Sequence, residues 1–124
     1  MIKIDTEKGI ENLCNLSSLS KMMGGKKALI KDIIDVFLKQ LPEELQFIND
    51  GITKTDYTTI KNYAHTMRSS VSIMGISVLA PVLQEMENAA KEDDMGKIKE
   101  LDTKLNLICR QVIDEIEREK HNYI

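Results

Sequence analysis

A chain of 124 residues and 14.1 kDa, 42% hydrophobic and 30% charged, suffices for one domain with a single core and is too apolar to be disordered. Its net charge of −3 speaks against a nucleic-acid binder, which needs a basic stripe to neutralise phosphates. No apolar run approaches the length of a membrane span and the N-terminus has no apolar signal-peptide core, so a cytoplasmic location without direct membrane contact is expected, whether for a free protein or for a segment of a larger membrane-anchored one.

Residues 1–15 are mixed in character and are expected to form a loose leading segment, with the folded unit spanning 16–124. A short helical turn fits Leu16 to Met23, and Gly24-Gly25 breaks it. From Lys26 onward Leu29, Ile30, Ile33, Ile34, Phe37, Leu41, Leu45 and Ile48 recur with helical period. Pro42 lies inside this run and predicts either a kink or two abutting helices, with Gly51 ending the segment.

A second long helix is predicted to start near Thr55-Asp56, both good N-cap residues. Its apolar stripe is Ile60, Tyr63, Ala64, Met67, Val71 and Met74, and Gly75 closes it. A third runs from Ser77 to Glu92 with Leu79, Val82, Leu83, Met86 and Ala90 inward, and Pro81 in its first turn or so, where a missing donor costs little. A fourth, from Met95 towards Lys120, carries Ile98, Leu101, Leu105, Ile108, Val112 and Ile116. No segment alternates with strand period over strand length, and aromatics are only 4%, which disfavours a sheet. The expectation is an all-α fold: an antiparallel four-helix bundle with a short N-terminal helix. The two cysteines, Cys14 and Cys109, have no metal or redox spacing and read as reduced, partly buried thiols.

Helical geometry then singles out His65. At about 100° per residue, the stripe through Ile60, Ala64, Met67 and Val71 points one way, and His65, Ser69 and Ser72 point nearly the other, with Lys61 and Arg68 on the flank. A histidine off the core stripe is not a satisfied core residue. On spacing alone it is an idle surface histidine; His121, near the C-terminus, reads the same way.

The surrounding residues change that reading. Ala64, His65, Met67, Arg68 and Ser70, followed by Gly75, resemble the Ala-His-x-Leu-Lys-Gly-Ser signature, with Gly ten residues after the histidine, of the histidine-containing phosphotransfer (HPt) domains of multistep two-component phosphorelays. The resemblance extends to Leu16–Leu19, Gly24-Gly25, Phe37, Leu41-Pro42-Glu43 and Met86-Glu87. It implies that His65 accepts a phosphoryl group from a receiver-domain aspartyl phosphate and relays it to another response-regulator receiver, in a signalling carrier rather than an enzyme. By the same resemblance, Arg68 neutralises phosphate oxygens, and Glu87 stands at a position where Gln or Glu hydrogen-bonds the other ring nitrogen. On spacing alone, Arg68 is an ordinary solvated arginine and Glu87 a charge on a solvated helix face, peripheral to the core.

Lys61, Ser69, Ser72 and Ile73 are the expected docking positions, Ile73 because it is an apolar residue away from the stripe and beside the histidine. The implied partners are receiver domains and a hybrid sensor histidine kinase, of which the chain is either a free-standing carrier or an excised domain. A monomer without a cofactor of its own is expected, any magnesium belonging to the receiver's acidic pocket.

One departure stands out: Ser69 occupies the position where the family usually has glycine. It keeps open an alternative, a helical adaptor of pseudo-HPt type that binds a receiver without phosphotransfer. A diiron bundle needs Glu-x-x-His pairs that the two histidines do not provide. Neither a nucleophile triad nor a nucleotide-binding motif is present.

Overall fold

The computed structural model describes residues 16–120, so the expectations for the leading segment, Cys14 and His121 lie outside the described residues. Five helices follow in order: α1 (Leu16–Met22), α2 (Lys27–Lys54), α3 (Tyr57–Ile73), α4 (Leu79–Lys91) and α5 (Met95–Glu119). Each long helix packs on its successor and α5 returns to α2, which closes a four-helix bundle with α1 against α2. Short connections of this kind favour antiparallel packing of consecutive helices. No helix among the described residues is long and apolar enough to cross a membrane.

The junctions are built by the same device used twice. Thr55 and Asp93 take left-handed backbone, at φ 54° and 56°. The next residue in each case, Asp56 or Asp94, sends its N–H back to the preceding helix, at Gly51 O (2.7 Å) and Ala89 O (2.9 Å). The same aspartates cap the following helix, accepting from Thr59 N and Lys97 N at 3.1 Å. Thr55 therefore ends α2 rather than capping α3. Gly75 (φ 69°) ends α3 as expected, and Ile76 N donates to Val71 O at 2.9 Å while its side chain is buried.

Two expectations for α2 need correction. Pro42 does not divide the run into two abutting helices: α2 is a single element of 28 residues with the proline inside it. The proline itself is exposed. Gly51 does not end the helix either. It is buried inside α2, where a Cβ would stand 2.9 Å from Ile60 Cγ1, so its role is to let α3 approach. The α4 helix begins at Leu79, two residues later than expected, with Pro81 in its first turn.

The core is formed by the predicted stripes. Ile30, Ile34, Phe37, Leu41 and Ile48 of α2 meet Ile60, Ala64, Met67 and Val71 of α3, with Leu79, Leu83 and Met86 of α4 and Ile98, Leu105, Val112 and Ile116 of α5. Leu29 is 43% exposed, because it stands about 100° from the centre of the α2 stripe. Ile108 is only half-buried and Cys109 takes the inward position instead. Burial foremost, and then the charge of Asp102, push the Cys109 thiol up to about 12. Alkylation of the native chain at neutral pH followed by peptide mapping should therefore leave Cys109 unmodified, and labelling should appear only after denaturation. Rapid native labelling at Cys109 would contradict this burial.

Candidate functional site

The middle of α3 carries His65 because the stripe Ile60, Ala64, Met67, Val71, all fully buried, fixes the rotation of the helix. The opposite side is thereby committed to solvent, and the His65 side chain is 67% exposed. Ser69, Ser72 and Ile73 follow it on the exposed surface, and with His65 and Arg68 they line a shallow open depression. Of the expected docking positions, Ser69, Ser72 and Ile73 are thus brought together at the histidine. Lys61 is separate: it is half-buried and lines a neighbouring depression with Tyr57, Thr58 and Lys91.

Glu87 is where the structure departs most from the reading of spacing alone. It is not on a solvated face. It sits on the flank of the α4 stripe that turns towards α3, and its side chain is only 9% exposed. Its Oε2 lies 3.2 Å from His65 Nδ1, and its Oε1 accepts from Arg68 Nη1 at 2.7 Å. Arg68, with a side chain 34% exposed, is therefore not a free cation beside the histidine but is fastened to the same carboxylate. Lys91, one turn along α4, approaches Glu87 Oε2 to 4.0 Å. Sequence reasoning missed Lys91; the available signal was its i,i+4 spacing from Glu87.

The charge state of Glu87 follows from this arrangement. Burial pushes its pKa up, but hydrogen bonds from Arg68 and then His65, with their charges, outweigh burial and hold the carboxyl below its usual range. The stabilising pairs are accordingly in place above the ordinary glutamate range and are lost as pH falls through the lowered folded value. At neutral pH Glu87 is an acceptor only, so the proton of the neutral imidazole belongs on Nδ1, and the lone pair belongs on Nε2. The arrangement can hold one imidazole in a single tautomer, with its basic nitrogen turned away from Glu87, next to a guanidinium that has further N–H groups to offer. No group of three or more His, Cys, Asp or Glu side chains suited to a metal occurs among the described residues.

Comparison with known proteins bears on the family and the fold. The family model described as Hpt domain matches residues 32–119. Among solved structures, the fold is similar to that of histidine-containing phosphotransfer protein B from Pseudomonas aeruginosa PAO1, with a TM-score of 0.83 at 18% identity, covering 90% of this chain and 97% of that one. No curated protein sequence matches the chain.

Proposed function

The chain belongs to the Hpt domain family, and from that premise we propose that His65 is its phosphoacceptor, taking a phosphoryl group from the aspartyl phosphate of one receiver domain and passing it to the aspartate of another. The observation that carries this reading is the exposed imidazole of His65 with its Nδ1 against the Glu87 carboxylate.

The Nε2 lone pair attacks phosphorus, the P–O bond to the receiver aspartate breaks, and the electron pair leaves on that carboxylate. Nδ1 keeps its proton throughout. The positive charge that develops on the ring is stabilised by Glu87, whose Oε2 stands 3.2 Å from Nδ1. Phosphoryl transfer asks chiefly for alignment and charge stabilisation, which a rigid helix and a fixed guanidinium supply. Arg68, one helical turn from His65, offers its remaining N–H groups to the phosphoryl oxygens. Ser69, Ser72 and Ile73 form the floor on which the receiver lies, with Lys61 and Lys91 at its edge. The same chemistry serves a free-standing carrier or a domain of a hybrid sensor histidine kinase, acting as a monomer.

Incubation of the whole chain with a receiver bearing aspartyl phosphate tests the proposal. Acid-labile, base-stable label should appear on the chain as the receiver loses it. Stable binding of the receiver without any transfer of label would overturn the reading in favour of the adaptor that Ser69, in place of glycine, leaves open.

A further inference from the structure

The two oxygens of Glu87 have separate tasks: Oε1 accepts from Arg68 Nη1 at 2.7 Å and Oε2 faces His65 Nδ1 at 3.2 Å. Both partners are donors in these contacts, since a guanidinium has no acceptor and the ring must give a proton to a carboxylate. We propose that Glu87 is a double positioning residue, and that the Arg68 contact makes a carboxylate, as opposed to a carboxamide, obligatory at position 87 for presenting Nε2 of His65. The proposal deepens the phosphotransfer reading above, but its central claim concerns the resting protein and is measurable without any phosphate.

The reasoning turns on what a carboxamide would do in the same place. Glutamine offers one acceptor oxygen and one NH2 donor. Arg68 is charged, and a charge-assisted hydrogen bond is roughly twice as strong as a neutral one. The amide oxygen of a glutamine at this position therefore turns to Arg68. Its NH2 is then left facing His65 Nδ1, which must become the acceptor. The imidazole proton moves to Nε2, and the nitrogen that faces solvent loses its lone pair. Lys91, a cationic donor on the Oε2 side, pulls the amide oxygen the other way, but at 4.0 Å it is beyond hydrogen-bond distance, whereas the Arg68 contact is 2.7 Å and decides the orientation. With Arg68 removed, the same glutamine is free to give its oxygen to Nδ1–H. Glu87 and Arg68 are thus coupled, and position 87 is only as tolerant as residue 68 allows.

Nitrogen-15 NMR of the full chain tests this, with histidine side chains labelled, His121 assigned through His121→Asn, and the pH raised until the imidazole signals no longer change. The wild type should show the Nδ1–H tautomer at His65. Glu87→Gln should shift it predominantly to Nε2–H, and Glu87→Gln combined with Arg68→Ala should restore Nδ1–H. Glu87→Asp keeps two oxygens and should keep Nδ1–H, which preserves a test if the glutamine variant does not fold.

In the transfer assay Glu87→Gln should slow labelling about tenfold or more, while in the Arg68→Ala background it should add little. Persistence of Nδ1–H in Glu87→Gln, or identical tautomers in the single and double variants, overturns the proposal. Absence of label on a wild type that shows the expected tautomers would instead overturn only the phosphotransfer reading.

Discussion

Replacing His65 by Gln should abolish the acid-labile label acquired from a phosphorylated receiver, down to background, while leaving the bundle folded. The carboxamide has no nitrogen lone pair capable of forming a P–N bond, so the loss is complete rather than graded. The side chain is two-thirds exposed and touches no core residue's position on α3, so the stability change should stay within about 1 kcal/mol, the scale of one lost hydrogen bond to Glu87. Receiver binding should persist, since Ser69, Ser72 and Ile73 are untouched. Two measurements decide the matter: label that survives base but is lost in acid, and a thermal melt of the same preparation. Wild-type labelling of His65→Gln would place the acceptor elsewhere.

The second large effect lies beneath the site. Leu83 is fully buried on α4, one turn before Glu87. Leu83→Ala should cost about 3 kcal/mol, from lost transfer energy together with the cavity left behind. For a domain of this size that corresponds to a fall in melting temperature of roughly 10 °C. The cavity would also loosen the turn of α4 that aims Glu87 at α3, so transfer should slow even at temperatures where the variant is fully folded. Thermal unfolding followed by circular dichroism, with labelling rates measured well below the melt, separates the two consequences. A melting temperature within a degree or two of wild type would show that Leu83 is not the core residue its burial indicates.

The helices and their inward faces were legible in the amino-acid order because a helix repeats its environment every three to four residues. The stripe of α3 alone located His65 on the solvent side, and Gly75 and Asp56 marked real ends. Errors arose where a local signal had a tertiary use. Gly51 looks like a stop, but is a point of close approach for Ile60. Thr55 looks like a cap, yet it supplies the left-handed turn before the cap. Pro42 could have separated two abutting helices, but α2 runs through it as one element.

For the site, the sequence by itself determined which residue faces water and which residues share its helix. The relation between α3 and α4 was decided only by tertiary packing. The residues His65 and Glu87 are 22 positions apart, and no periodicity within either helix reports the angle at which the two helices meet. Packing the two stripes against each other buries Glu87 to 9% exposure and brings one carboxylate within reach of both an imidazole and a guanidinium. That contact converts a solvated charge and an idle ring into a single hydrogen-bonded unit. Its physical reason is that a carboxylate removed from water must find donors in the protein, and the donors available are Arg68 and His65.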